Sequence, residues 1–248
     1  MKTSDINIDL SNSSFLIIGD SGTGKTRLAG TFPKPYFFDM DKGMASLRGF
    51  DNIEYDTFKD ALPKGTPMPE RGIYPYGTAW LEFMKKANEI GDMIDKGTCP
   101  FETLVVDSVT TLTQICMQYV LKQKNKVGGP PEIQHYGMQM ELLKTVFDQL
   151  TSWPLIKVVI SHVQRTENQV TEQEQMLPLV TGKLAGLLPV YFDEVYFTDV
   201  RRVAGKVPEY YLHTSATASL KCARTRFGVP EGTLSSFGAI QGALSNVR

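Results

Sequence analysis

The run Gly19-Asp20-Ser21-Gly22-Thr23-Gly24-Lys25-Thr26 limits what this chain can fold into more than any other feature. It follows a short apolar run, Phe15-Leu16-Ile17-Ile18, and leads into a segment, Lys25 to Thr31, that reads as a helix stopped before Pro33. A buried strand, a glycine-rich turn and a helix in that order make a cradle for phosphates. Gly19, Gly22 and Gly24 let the backbone wrap closely with its amide hydrogens turned inward, and the helix start adds its positive dipole end. In such a cradle Lys25 reaches the β- and γ-phosphates and Thr26 ligates magnesium, so ATP with Mg2+ is the expected ligand pair. The bland alternative is a glycine-rich turn carrying a surface lysine.

The rest of the chain supplies matching elements. Tyr36-Phe37-Phe38 reads as a second buried strand with the acidic tip Asp39-Met40-Asp41, and Thr103-Leu104-Val105-Val106 as a third that ends at Asp107. Lys157-Val158-Val159-Ile160-Ser161 is a fourth, opening into the polar stretch His162 to Gln175. Helices are expected over 78–94, 111–123 and 136–150; Trp80, Phe83, Met84 and Ala87 form the apolar face of the first. Glu194 to Arg201 and Glu209 to His213 read as a hairpin turning at Ala204-Gly205-Lys206. The Pro- and Gly-rich stretch 60–75 is expected to be an irregular surface excursion, and the part after Gly228 a loosely held tail. Strands alternating with helices give an α/β fold with a mostly parallel twisted sheet, helices on its faces and an antiparallel hairpin at one edge.

Several polar residues fall at strand ends, where a doubly wound sheet holds its ligands. Asp107 is placed to hold magnesium through its water shell, although Asp107 or Ser108 could equally cap the following helix. Hydrolysis also needs a group that orients or deprotonates the attacking water. Asp41 is the first candidate and Asp39 the second, with turn capping before Gly43 as the alternative role. His162 ends the fourth strand on the same edge and can touch a γ-phosphate.

Composition narrows the partners. A formal net charge of −1 leaves no global field for nucleic acid, so any such contact needs a local basic patch. Three cysteines and three histidines are scattered without metal-ligand spacing, and free thiols are expected. No basic-then-apolar start and no apolar run of membrane-spanning length is present, so a cytoplasmic chain with no membrane contact is expected.

With these elements in place the chain resembles RecA-type recombinases reduced to the ATPase core. It is more closely similar to phage-encoded nucleotide-binding proteins of single-strand annealing and recombination. The matching pieces are Gly19 to Thr26, Phe37 to Asp41, Leu104 to Ser108, Tyr136-Gly137, Val158 to His162 and Lys221-Cys222-Ala223-Arg224-Thr225-Arg226. The resemblance covers roughly Phe15 to Pro230, which implies a RecA-like P-loop core over 1–230 and a tail over 231–248. It implies ATP-dependent binding of single-stranded DNA by a homo-oligomer in the host cytoplasm. It also implies a DNA-contacting loop over Val163 to Gln175, containing Arg165, and a basic strand whose Lys221, Arg224 and Arg226 enter a neighbour's ATP site. Where the family usually carries glutamate this chain has Asp41, and where RecA carries glutamine it has His162. The acidic composition of the post-strand loop favours an alternative, an ATP-driven assembly or regulatory switch with a protein partner and no DNA contact. A small-molecule kinase ranks last, because no lid-like arginine cluster is visible apart from Lys221 to Arg226.

Overall fold

Continuous apolar runs need cover on both faces, and that requirement builds this molecule. The computed structural model describes residues 10–60, 77–126, 129–167 and 173–245. Its strands are β1 (Ser14–Gly19), β2 (Pro35–Asp39), β3 (Glu54–Thr57), β4 (Thr103–Asp107), β5 (Ile156–Glu167), β6 (Glu174–Pro178), β7 (Glu194–Arg201) and β8 (Glu209–His213). The helices are α1 (Lys25–Gly30), α2 (Thr78–Asp95), α3 (Val109–Gln123), α4 (Ile133–Ser152), α5 (Leu184–Leu187) and α6 (Phe237–Ser245). The sheet runs β3-β2-β4-β5-β1-β7-β8, parallel from β3 through β7, with β8 antiparallel at the edge. This is the expected α/β architecture: a mostly parallel sheet with flanking helices and an antiparallel edge pair.

Alternation along β1 shows how the two faces are filled. Leu16 and Ile18 point into a core shared with Trp80 and Phe83 of α2, Leu112 and Cys116 of α3 and Phe147 of α4. Phe15 and Ile17 point the other way, against Leu28 of α1 and Phe237, Ile240 and Leu244 of α6. The crossovers bring the C-terminal ends of β1, β2, β4, β5 and β7 to one edge, while β8 returns in the opposite direction.

The chain departs from expectation in four places. β3 was not foreseen: Glu54-Tyr55-Asp56-Thr57 has no apolar run, because it is an exposed edge strand that contributes backbone rather than core. β5 does not stop at Ser161 but continues to Glu167, where β6 pairs with its distal half. The expected loose tail carries α6, whose Phe237 ring sits 4.6 Å from that of Phe32 and whose Phe237 amide donates to Thr31 Oγ1 at 2.8 Å. Its apolar face is only three residues wide in a Gly/Ser-rich stretch, so local composition hid it. Finally, the segment around 221–226 is not a strand and meets β7 through a single bridge, Arg224 to Val195.

The excursion over 61–75 lies outside the described residues. Asp60, at its start, caps α2: its carboxylate accepts from the amides of Gly77, Thr78 and Ala79. Among the described residues no helix is long and apolar enough to cross a membrane.

Candidate nucleotide-binding site

A cleft of about 850 Å3 opens along the C-terminal strand edge, and the turn from β1 into α1 forms its floor. Gly22 (φ 80°) and Gly24 (φ 85°) take the left-handed backbone that only glycine adopts without strain. Gly19 is glycine for another reason: a Cβ there would fall 2.2 Å from Thr198 Oγ1 on β7. Ser21, Gly22, Gly24, Lys25 and Thr26 line the cleft. Gly19, Asp20 and Thr23 line a second cavity behind the turn, where the Thr23 and Thr198 hydroxyls meet at 2.7 Å.

Lys25 is buried, and its Nζ donates to the Asp20 carbonyl at 2.7 Å. Burial lowers its pKa, opposed by the charges of Asp107, Asp20 and Asp41. Thr26 Oγ1 donates to Asp107 Oδ2 at 2.7 Å. Burial pushes the Asp107 carboxyl up to about 6, with the Thr26 hydrogen bond working against that rise. Ser108, joined to Asp107 by a cis peptide, caps α3 by accepting from the Thr111 amide, so Asp107 is released from that duty.

Space for a cation beside this pair is kept by Gly43. A Cβ on Gly43 would lie 3.3 Å from Asp107 Oδ2 and 3.4 Å from Thr26 Oγ1. One hydroxyl, one carboxylate and room for water is a donor set that fits magnesium, which keeps much of its hydration.

Asp41 and Asp39, two residues apart, face different tasks. Asp41 lines the cleft and receives His162 Nε2 at 3.1 Å, Ser108 Oγ at 2.7 Å and the Thr111 hydroxyl. Burial works against its ionisation, yet the hydrogen bonds from His162, Thr111 and Ser108 outweigh it and bring the pKa to about 2. Asp39 does not belong to the cleft. Its carboxylate accepts from the Gly43 amide at 3.1 Å and from Thr57 Oγ1 at 3.2 Å, so it braces the turn after β2 against β3. Its place as second catalytic candidate is therefore withdrawn. His162 lines the cleft, its backbone amide fixed on Thr110 Oγ1 at 3.1 Å.

The basic residues also divide. Arg165, expected on a DNA-contacting loop, instead reaches the phosphate-cradle turn, with Nη1 and Nη2 at 3.1 and 2.5 Å from the Asp20 carboxylate oxygens. Its Nε also pairs with Glu174 at 3.4 Å. Arg224 donates to the carbonyls of Pro189 and Phe192 at 2.6 and 2.5 Å, and Arg226 pairs with Asp193 at 2.9 Å. Both lie beside the start of β1, at the far end of the sheet from the phosphate turn, because Arg224 bridges Val195 and β7 pairs Glu194 with Phe15. Lys221 is exposed.

Sequence reasoning missed Arg27, Gly43, Lys59, Thr111, Gln114, Gln118 and Tyr210, all of which line the cleft. Thr111, Gln114 and Gln118 had left a signal, a polar stripe at helical spacing after the Ser108 cap. Tyr210 had left none, since a tyrosine in a strand is ordinary.

A glycine-wrapped turn, an adjacent lysine and a hydroxyl facing a strand-end aspartate, all on one edge of this sheet, define a P-loop NTPase domain. The chain belongs to the AAA domain family, whose model matches residues 11–227. It is similar in structure to a KaiC-like protein from Pyrococcus horikoshii OT3, at 13% identity and TM-score 0.45 over 82% of this chain and 77% of that one. It is also similar to flagellar accessory protein FlaH from Methanocaldococcus jannaschii, at 13% identity and TM-score 0.42 over 86% and 81% of the respective chains. No curated protein matches the sequence.

Proposed function

We propose that this chain binds and hydrolyses ATP with magnesium and uses the state of the γ-phosphate to move the β5–β6 hairpin. The observation that carries the reading is the junction at His162. That residue touches Asp41 in the cleft, and the strand it sits on continues directly into the hairpin. Lys25 holds the β- and γ-phosphates, giving up its bond to the Asp20 carbonyl. Thr26 and Asp107 hold magnesium, which supplies positive charge against the phosphate oxygens. Asp41 orients the attacking water. Hydrogen bonds from His162, Thr111 and Ser108 favour the ionised form of Asp41 and fix its orientation. His162 senses the γ-phosphate through its shared contact with Asp41.

On the resemblance to RecA-type proteins, the partner proposed for the hairpin is single-stranded DNA, bound by an ATP-dependent homo-oligomer in recombination or annealing. Of the three basic residues assigned to a neighbour's site, exposed Lys221 keeps that role, since Arg224 and Arg226 serve their own chain. One observation favours the second reading, a protein-partnered switch: Arg165 is already held by Asp20 and Glu174 rather than offered to phosphates.

ATP hydrolysis by the purified chain, with and without single-stranded DNA and beside Lys25→Ala, tests both. Activity that DNA stimulates and Lys25→Ala abolishes supports the DNA reading. Activity indifferent to DNA transfers the proposal to the protein partner. No hydrolysis under any condition defeats the ATPase reading.

A further inference from the structure

The cleft has a direction. Asp107 on β4, His162 on β5 and Asp41 just beyond β2 mark its γ-phosphate end, and all three strands lie on one flank of β1. On the other flank lie β7 and β8. A triphosphate threaded through the turn with its γ end at Lys25, Thr26 and Asp107 therefore delivers its nucleoside toward the β7–β8 hairpin. At that end the cleft is lined by Tyr210, the only Phe, Tyr or Trp among the described residues that line it.

The position of Tyr210 follows from the strand period. Leu212 is buried on the α1 face of the sheet, and Tyr210, two residues nearer the hairpin turn, shares that face and overhangs the start of α1. Its backbone is held twice, by pairing with Val200 on β7 and by the Ser235 amide, which donates to the Tyr210 carbonyl at 3.0 Å. The ring lies directly against the phosphate turn: a Cβ on Gly24 would come within 2.9 Å of Tyr210 Cδ1. A partly buried aromatic ring fixed at the mouth of a nucleotide cleft presents a flat apolar face with a polar tip.

Resting on the nucleotide-binding reading above, we infer that Tyr210 is the platform on which the nucleobase stacks, and that it fixes the nucleoside end while the glycine turn fixes the phosphates. Stacking accepts any base, so the ring adds affinity for nucleoside triphosphates over bare polyphosphate without choosing between adenine and guanine.

Equilibrium binding of ATP, GTP and inorganic tripolyphosphate, with magnesium, to the full chain and to Tyr210→Ala, Tyr210→Leu and Tyr210→Phe tests this. Tyr210→Leu keeps bulk over Gly24 and serves if the alanine variant folds poorly. The expected result is about tenfold weaker ATP and GTP binding in the alanine and leucine variants, with tripolyphosphate unchanged and Tyr210→Phe close to the parent. Unchanged ATP affinity in folded Tyr210→Leu overturns the inference. A parallel loss of ATP and tripolyphosphate also overturns it, since the ring would then only prop the turn. A parent chain that binds none of the three ligands instead defeats the underlying nucleotide reading, and this inference falls with it.

Discussion

Asp41 and Asp107 share one cleft, yet their surroundings drive them in opposite directions, to about 2 and about 6. Asp107 is desolvated with one hydroxyl donor, whereas Asp41 collects donors from three side chains. In the proposed mechanism Asp41, held ionised by its hydrogen-bond donors, is the group that orients water. Asp41→Asn should lower the single-turnover hydrolysis rate by about 10²-fold or more while ATP affinity stays within a few-fold. An unchanged rate would remove Asp41 from the mechanism. Lys157 gives a test unconnected with the nucleotide. Its buried Nζ donates to the Asn12 and Trp153 carbonyls, and burial brings its pKa down to about 8 against the charge of Asp193. The folded pKa lies below the unfolded one, so the cost of burying this charge is full below pH 8 and fades as the pH climbs toward 10.5. Between pH 7.5 and 10 the parent chain should gain about 2 kcal/mol of stability relative to Lys157→Met, read by denaturant unfolding at each pH. Parallel pH profiles would contradict the depressed pKa.

At the scale of elements, the β5–β6 hairpin and α6 are attached in different ways. The hairpin extends from the sheet and is tied to the phosphate turn through the Arg165–Asp20 pair, whose partners are both about half exposed. An exposed pair, even a bidentate one, contributes about 1 kcal/mol or less. Arg165→Ala should therefore speed amide hydrogen exchange across 163–167 and 174–178 by about fivefold at most while global stability holds. Exchange that does not change would show that the pair leaves the hairpin unrestrained. By contrast, α6 is part of the core. Phe237 is 7% exposed and its ring packs at a tilt against that of Phe32. Phe237→Ala should cost about 3 kcal/mol in chemical denaturation, where a loosely held tail would cost close to nothing.

For the whole molecule, nucleotide binding and folding are linked because the cradle exists only when β1, β4, β2 and β5 are assembled. With MgATP at a hundredfold excess over its dissociation constant, the folded state should gain about 2.7 kcal/mol, visible as a raised thermal midpoint. Lys25→Ala should abolish the gain. An equal rise in that variant would mean that ATP stabilises the chain from some other place. Assembly belongs to this scale too, and sedimentation with and without MgATP, beside Lys221→Ala, reads whether ATP brings copies together through that residue.

Local chemistry was enough to determine the phosphate turn, the apolar strands β1, β2, β4 and β5, the edge hairpin β7–β8, and the placing of Asp107 at a strand end and of Asp41 just beyond one, whereas His162, expected at a strand end, lies within β5. Each of these depends on the residues within one turn or one strand: glycines that permit left-handed backbone, apolar runs that need cover, and acids that fall where a strand stops. What local chemistry leaves open is which of several competent groups meets which partner across the fold. Sequence ranks Asp41 ahead of Asp39 without separating their tasks, and only the pairing of β2 with β3 and β4 turns one into a brace and the other into the cleft. Arg165, Arg224 and Arg226 read as free cations until Asp20, Asp193 and the Pro189 and Phe192 carbonyls are brought beside them from far along the chain. Tyr210 gained a place at the nucleotide cleft only through sheet order, because the distance from a strand to a turn nearly two hundred residues earlier is set by packing.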